Sequence, residues 1–482
     1  MHIEWRETMS FQEYGLQEEL LKALQLLSYT TPTSIQALTI PKALQKMDLW
    51  VQSQTGSGKT AAYALPICQT CDWFVNHPQA LVLVPTRELA IQVAEEIKNL
   101  GRFKRLQVLP IFGRVSIEHQ ELALKQKTHI VVGTPGRIRD LIQRKSLQFD
   151  QLTTLIIDEA DEMFFIGLRQ QVEDILTLLP SNRQTMLFSA TLSEEIRNLT
   201  KQYMKDPTEL TIEQESITAK EITQYTYVIN PEDKLSALLK LTQVHNPDSC
   251  IIFANTQTTV DELERQLLKE SYPVKKLHGG MQQKERLAVM SQFKSGEFRY
   301  LIATDVAARG IDIDGVELIL NYDISRGRHN YVHRIGRCGR AGKQGTAITL
   351  YTEKESTAMK EIISYTEANI TQLDISQLEV TSQMKESFQE KLAIKPVLKE
   401  KKNKALNQSI QKLCIRAGKK DKIRTCEIVA TICSIECVTA EDIGVIQILP
   451  TVTQVEILNN KGPLVLSNIR TKTIKGKVRK VF

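Results

Sequence analysis

Leu155-Ile156-Ile157-Asp158-Glu159-Ala160-Asp161 is a short apolar run that stops abruptly in carboxylates. A β-branched run of this length reads as a buried strand, and acids that follow it lie at the strand's carboxyl end. Adjacent carboxylates there can hold a divalent cation and orient a water beside a nucleotide phosphate. Four residues alone are a weak signal, and a surface acidic turn is the alternative. The upstream sequence argues against that turn.

Upstream lies Ser53-Gln54-Thr55-Gly56-Ser57-Gly58-Lys59-Thr60, which reads as a phosphate-binding loop. Gly56 and Gly58 free the backbone to turn N–H groups inward, and Thr55 and Ser57 complete the cradle. Lys59 neutralises the β and γ phosphates. Thr60 and Asp158 are the expected magnesium ligands, and Glu159 the group that orients or deprotonates the attacking water. Ser53 stands where the strict pattern has glycine, so the motif is met loosely. A glycine turn opening an ordinary helix is the competing reading. ATP and Mg2+ are the cofactors implied.

Further apolar runs occur at residues 81–84, 130–132, 186–188, 251–253, 301–303 and 318–320, alternating with segments of helical period. The alternation predicts an α/β architecture of parallel sheets covered by helices on both faces. Nearly every run is followed at once by a polar or glycine-containing cluster, so these clusters should gather at the carboxyl ends of the strands. The pattern pauses between residues 206 and 223 and again between 371 and 404. The expected domains are 1–210 and 224–370, joined by a linker at 211–223. A basic linker at 371–404 would follow, with Lys391, Lys395, Lys399, Lys401, Lys402 and Lys404, either a solvated tether or one that also touches nucleic acid. A small domain at 405–482 closes the chain. Its predicted strand at 412–416, helix at 424–434, strands at 445–449 and 454–458, helix at 464–471 and strand at 477–481 give the order β-α-β-β-α-β.

The whole chain sets outer limits. Its 482 residues are too many for one core. A net charge of +6 permits a polyanionic partner without establishing one. Charges in every turn of the first 14 residues leave no secretory signal. No apolar stretch approaches the roughly 18 residues that span a bilayer. A cytoplasmic, monomeric protein without membrane contact is expected. Eight cysteines suggest reduced thiols. Cys68-x-x-Cys71 lacks a second pair at zinc-finger spacing, and Cys414, Cys426, Cys433 and Cys437 form no pair of knuckles, so buried thiols are favoured over zinc.

A basic cluster, Tyr331-Val332-His333-Arg334-Ile335-Gly336-Arg337-Cys338-Gly339-Arg340, ends the second α/β region. Arginines at this spacing suit planar contact to a transferring phosphate. With loop, carboxylates and distal arginines together, the chain resembles the DEAD-box ATP-dependent RNA helicases. The resemblance implies two tandem RecA-like domains, RNA as partner, and the following roles. Gln36 would read adenine with Phe11 upstream of it. Thr86, Arg87, Thr134, Gly136 and Arg137 would meet the RNA backbone, as would Gly113. Ser189 and Thr191 would couple hydrolysis to strand separation. In the second domain Gln283, Arg286 and Thr304 would face RNA and Asp312 the ribose. Arg337 and Arg340 would be arginine fingers, and His333 a link back to the carboxylates. Departures from the family pattern are Ser28 where glycine is common, Ser53 where alanine usually opens the loop, Gly113-Arg114 in place of a glycine pair, and Cys338 for Thr or Ser.

The end of the chain resembles the RRM-like RNA-binding domain of the bacterial DbpA/YxiN group. Gly418-Lys419-Lys420-Asp421-Lys422-Ile423-Arg424 and Ile474-Lys475-Gly476-Lys477-Val478-Arg479-Lys480 carry the likeness. It implies that Lys419, Lys420, Lys422, Arg424, Lys475, Lys477 and Arg479 bind RNA. The implied target is a hairpin of large-subunit (23S) ribosomal RNA, in precursor large subunits. From residue 464 onward there are six Lys or Arg and no acid, which suits phosphate contact but also a merely solvated terminus. The tail's only aromatic is Phe482, so bases cannot stack on a row of sheet aromatics. Rival readings are a non-catalytic RNA clamp, a DNA translocase, and a general RNA chaperone without hairpin specificity.

Overall fold

The computed structural model describes the chain except for residues 1–9, 54–55, 192, 212–221, 309–312, 314, 340–343, 367, 395, 397–405 and 407–408. Thr55, Asp312, Arg340, Lys395, Lys399, Lys401, Lys402 and Lys404 lie outside the described residues. The chain divides into two compact units, residues 1–212 with 401–482, and residues 213–400.

The first unit holds a seven-stranded parallel sheet: β1 (Leu49–Gln52), β2 (Ala80–Leu83), β3 (Val108–Ile111), β4 (Ile130–Gly133), β5 (Thr154–Ile157), β6 (Gln184–Ser189) and β7 (Thr208–Thr211). Their spatial order is β3-β4-β2-β5-β6-β1-β7. Successive side chains of a strand point to opposite faces. Val82, Val132, Ile156 and Met186 therefore enter one apolar cluster, while Leu81, Val131, Leu155 and Leu187 enter another on the far side. A sheet buried on both faces needs apolar residues at every position, which is why these strands show no polar alternation. The second unit repeats the plan with β8 (Ile222–Val228), β9 (Cys250–Phe253), β10 (Val274–Leu277), β11 (Tyr300–Ala303), β12 (Leu318–Asn321), β13 (Gly345–Tyr351) and β14 (Ile370–Leu373). Their order is β10-β11-β9-β12-β13-β8-β14. The expected pair of RecA-like parallel sheets is present.

Two expectations about linkers change. Residues 206–211 are not free chain, because β7 pairs with β1 from Leu49↔Thr208 to Gln52↔Thr211. The linker expected at 371–404 begins later. Residues 370–373 form β14 against β8, and a helix follows at Ser382–Ala393. Phe388 from that helix is 1% exposed. It lies in the same apolar cluster as Tyr272 and Tyr300, so the second unit extends past the expected boundary at 370.

The tail begins with β15 (Gln411–Ile415), which pairs antiparallel with β17 (Thr453–Ile457), itself paired with β16 (Ile443–Ile448). Helices Thr425–Cys433 and Gly462–Ile469 pack on one face through Ile428, Ile432, Val465 and Ile469. The predicted last strand at 477–481 is redistributed. Lys477–Val478 (β19) turns back on Thr473–Ile474 (β18) as a small hairpin, and residues 480–482 pair antiparallel beside β15, with backbone bonds between Cys414 and Phe482 and from Arg416 to Lys480. Cys426 and Cys437 are exposed, against the expectation of buried thiols, whereas Cys68, Cys71, Cys250 and Cys338 are buried.

Phe388→Ala is expected to cost about 3–5 kcal/mol, the usual penalty for emptying an aromatic core site. Urea unfolding of the full chain measures it; a linker residue would change stability by less than about 0.5 kcal/mol.

Candidate nucleotide and RNA site

Six strand ends of the first sheet each deliver a predicted motif to one edge. β1 runs into the phosphate loop, β2 into Thr86 and Arg87, β3 into Gly113, β4 into Thr134, Gly136 and Arg137, β5 into Asp158 and Glu159, and β6 into Ser189. Ser53 continues the pairing of β1 with β6, its N–H donating to the Ser189 carbonyl at 2.9 Å. The helix Lys59–Thr70 starts directly at the loop, so its N-terminal N–H groups and dipole face any bound anion.

Gly58 caps that helix with φ +88°. A Cβ there would lie 2.6 Å from Gln36 Nε2 and 3.0 Å from Thr33 Oγ1. Glycine is required on both counts. Gln36 is buried; its Nε2 donates to the Gly58 carbonyl at 3.0 Å, and its Oε1 accepts from the Thr33 N–H at 3.0 Å. Thr33 Oγ1 donates to the Ser57 carbonyl at 2.9 Å. The predicted adenine reader is thus tied to the phosphate loop. Phe11 packs edge-on against Tyr14 and Tyr29 and is 3% exposed.

Lys59 Nζ lies 2.8 Å from Asp158 Oδ1 and 3.2 Å from Glu159 Oε1. Burial works against the Lys59 charge, but the two carboxylates outweigh it and hold the ammonium above its ordinary pKa. Burial pushes the Asp158 carboxyl up, with Lys59 pulling against it. Glu159 occupies the left-handed region at φ 52°, an uncommon conformation for a residue with a side chain and one concentrated at functional sites. Thr60 and Asp158 offer hard oxygen donors, and Asp158 Oδ1 faces a cationic partner already. That chemistry fits magnesium, which would polarise phosphate oxygens when bound.

Two residues to which the sequence reading gave no role, Tyr63 and the last acid of the opening motif, Asp161, complete the centre. Tyr63, from the helix after the loop, donates its hydroxyl to Asp158 Oδ2 at 2.9 Å. Burial first, then the nearby carboxylate, keeps that phenol well above its ordinary pKa, so it remains a donor. Asp161 Oδ2 accepts from the Ala190 and Thr191 N–H groups at 3.1 Å each, and from Thr191 Oγ1 at 3.2 Å. Ser189 Oγ donates to the Thr191 carbonyl at 2.8 Å. The predicted coupling residues are therefore joined to the carboxylate motif through Asp161.

The predicted RNA contacts divide. Thr86 Oγ1 accepts from the Leu89 N–H as the N-cap of the helix Arg87–Leu100. Arg137 reaches the Val115 carbonyl and Gln120 Oε1, pinning the loop that carries Gly113. Arg114 and Ser28 both sit at positive φ, 59° and 61°, which explains why glycine is common at those places in the family. In the second unit Thr304 follows β11, Gln283 opens the helix Gln283–Lys294, and Arg286 on that helix is buried.

The basic cluster does not act as a block. Arg334 is 2% exposed. It forms a fork with Asp305 and donates to Asn321 Oδ1 at 3.2 Å, the Asp323 carbonyl at 2.6 Å and Asn255 Oδ1 at 3.0 Å. It locks the ends of β9, β11 and β12 together. His333 lies on the same helix, Arg328–Ile335, and Arg337 follows it. Cys338 is buried, its thiol facing the Thr346 carbonyl at 3.3 Å, and burial pushes its pKa up to about 12.

In the tail, the short helix Lys419–Asp421 and the hairpin of β18 and β19 lie together. Lys475 Nζ donates to the Lys422 carbonyl at 2.6 Å, and Arg479 pairs with Asp421 at 3.0 Å. Lys419, Lys420, Lys422, Arg424, Lys475 and Lys477 are exposed, so the two basic segments form one surface.

A phosphate loop and a two-carboxylate strand end on one parallel sheet, with a second such sheet in the chain, define a phosphate-loop nucleotide hydrolase of two tandem RecA-like domains. Comparison with known proteins names the group. Residues 33–199 match the DEAD/DEAH box helicase model, 233–342 the helicase conserved C-terminal domain, and 412–481 the DbpA RNA binding domain. The chain is 46% identical over 471 residues to the ATP-dependent RNA helicase DbpA of Bacillus subtilis, covering 98% of both. It is 42% identical over 370 residues to the DEAD-box ATP-dependent RNA helicase CshA of Bacillus cereus, 77% of this chain and 70% of that one. Among solved structures, S. cerevisiae Dbp5 bound to RNA and ADP BeF3 has a TM-score of 0.71 at 32% identity, covering 80% of this chain and all of that one. Mss116p bound to ssRNA and AMP-PNP has a TM-score of 0.69 at 26% identity, covering 81% and 84%. The chain belongs to the DEAD-box ATP-dependent RNA helicases of the DbpA type; it is an RNA-binding, RNA-dependent ATPase.

Tyr63→Phe keeps the ring against Phe188 and removes only the hydroxyl. Fluorescent-nucleotide titration with and without Mg2+ is expected to show about tenfold weaker magnesium-dependent binding. Unchanged magnesium dependence would reduce Tyr63 to a space-filling role.

Proposed function

We propose that the chain uses ATP turnover to open short duplexes in 23S ribosomal RNA while its tail holds a nearby hairpin, remodelling precursor large ribosomal subunits. The single observation that carries this reading is the joined basic surface of residues 419–424 and 475–479 on a tail that matches the DbpA RNA binding domain. Backbone contacts from lysine and arginine supply affinity, and the tail's lack of sheet aromatics leaves polar and basic groups to discriminate.

In the catalytic step Lys59 exchanges its carboxylate partners for phosphate oxygens, and Glu159 orients the attacking water. Asp158 and Thr60 would hold Mg2+. Arg337 and Arg340 would supply positive charge to the transferring phosphoryl group, which requires the two RecA-like domains to close on ATP and RNA together. Closure works as a machine only if the closed form binds both ligands better than the open one, so RNA must tighten ATP binding and ATP must tighten RNA binding. We place this activity in the cytoplasm, in a monomer. No described helix is long and apolar enough to cross a membrane.

Glu159→Gln is expected to lower RNA-stimulated phosphate release by about a hundredfold or more while leaving nucleotide binding in place. A steady-state ATPase assay with an RNA oligonucleotide checks this; turnover at the wild-type rate would remove Glu159 from the chemistry. Replacing Lys419, Lys420 and Lys422 together by alanine should reduce the salt dependence of hairpin binding by about two units of log K against log salt. Hairpin and unrelated RNA bound equally well by the wild-type protein at physiological salt would favour a general RNA chaperone.

A further inference from the structure

His278 directly follows β10 and is buried. Both of its ring nitrogens are engaged. The Gly280 N–H donates to Nδ1 at 3.2 Å, and Nε2 lies 3.2 Å from Asp261 Oδ1. A backbone N–H can only donate, so Nδ1 must offer its lone pair. The ring proton is therefore on Nε2, where it faces a carboxylate oxygen. Together the two bonds fix the tautomer and the orientation of the ring.

One bond reaches a rigid element and the other a turn. Asp261 is on the helix Gln257–Lys269, and its carboxylate also pairs with Lys276 of β10 at 2.8 Å. Lys276 reaches Glu264 of the same helix at 3.0 Å, so strand and helix are pinned together. The hydrogen bond from Lys276 holds the Asp261 carboxyl below its ordinary pKa, which keeps it an acceptor for the His278 proton. Gly280 lies in the turn that follows. A Cβ on it would fall 2.6 Å from Gln257 Oε1 and 3.2 Å from His278 Nδ1, so the turn lies hard against both side chains. Gly280 is itself exposed; the imidazole holds the turn where burial does not.

Only residues 279–282 separate this imidazole from the helix Gln283–Lys294. Met290 and Phe293 fix the far half of that helix in the apolar cluster, and Lys275 Nζ donates to Gln292 Oε1 at 2.6 Å. The near end, with Gln283 and Arg286, is tied back through the turn. There the Met281 N–H donates to the His278 carbonyl and the Gln282 N–H to Glu285 Oε2, each at 3.3 Å. We propose that His278 is a positioning residue for RNA engagement: through the Gly280 N–H it sets the turn that presents Gln283 and Arg286. The proposal rests on the reading of those two residues as RNA-facing. His278 acts through them, so it governs how much RNA is needed and not the hydrolysis itself.

ATPase activity of the full chain, titrated with a single-stranded RNA oligonucleotide, separates the roles of the two nitrogens. Asparagine places Oδ1 where histidine has Nδ1, whereas glutamine places its amide near Nε2. His278→Asn is expected to keep the RNA half-saturation within about twofold of wild type. His278→Gln and His278→Ala should raise it about fivefold or more, because both lose the acceptor for Gly280. In all three, kcat at saturating RNA and the KM for ATP should stay within about twofold. A merely structural histidine would instead rank the variants by melting temperature, measured on the same samples. Glutamine as good as asparagine, or kcat lost in step with melting temperature, would overturn the proposal. If His278→Ala does not fold, the comparison of Asn with Gln decides alone. Arg286→Ala tests the underlying reading. An unchanged half-saturation there would remove the RNA-facing role of the helix and the proposal with it. Weakened Arg286→Ala beside unaffected His278→Gln would overturn the proposal alone.

Discussion

The buried pair between Lys59 and Asp158 is the interaction on which the first domain's organisation turns. Lys59 arrives on the helix that follows β1, and Asp158 at the end of β5, with β6 between those two strands. Neither charge is tolerable in that interior alone, so the two strand ends must be held in register by everything around them. Tyr63 fixes the second oxygen of Asp158, and Asp161 ties the same carboxylate segment to the end of β6. A phosphate entering the loop competes with Asp158 for one ammonium. In the proposed catalytic step, that competition is what moves Lys59 from carboxylate to phosphate.

Much of this plan was legible in the sequence because doubly buried strands have little freedom. The runs around residues 81, 130, 155, 251 and 301 are apolar without interruption and rich in β-branched residues, and each became an interior strand of its sheet. The strands that escaped notice are chiefly at the margins. β10 reads Val-Lys-Lys-Leu and sits at a sheet edge, where half of each residue can meet water and no apolar run is needed. β7 and β14 occupy the opposite edges with Thr, Glu and Gln among their residues. The helix at Ser382–Ala393 was hidden for a related reason. Only Phe388 is buried along it, and one apolar residue makes no period.

The site divides in the same way. Glycines, the loop lysine and paired acids are recognisable because their roles depend on local chain geometry. Tyr63 and Arg334 act through partners far apart in sequence, and nothing in their immediate neighbours announces it. Tyr63 reads as one more apolar helix residue until Asp158 is found beside its hydroxyl. Arg334 reads as a sibling of Arg337, yet its five donors are consumed by Asp305, Asn321, Asn255 and the Asp323 carbonyl. Spacing along a helix could not show that Arg334 is a structural arginine.

The tail brings the two kinds of reading together. A sheet that reads bases presents aromatic faces and a positive margin, since stacking is tolerant of sequence and phosphate demands cations. Here the sheet's open face carries no aromatic ring among β15, β16 and β17 and has a carboxylate near its centre, Glu456. An acid in that position repels a phosphate backbone. The cations instead collect on a helical turn and a hairpin made possible by the shortened last strand, where Lys477 and Val478 leave the main sheet to pair with β18. Residues 480–482 still pair with 414–416 beside β15, so the basic hairpin arises from the turn that takes Lys477 and Val478 back onto β18.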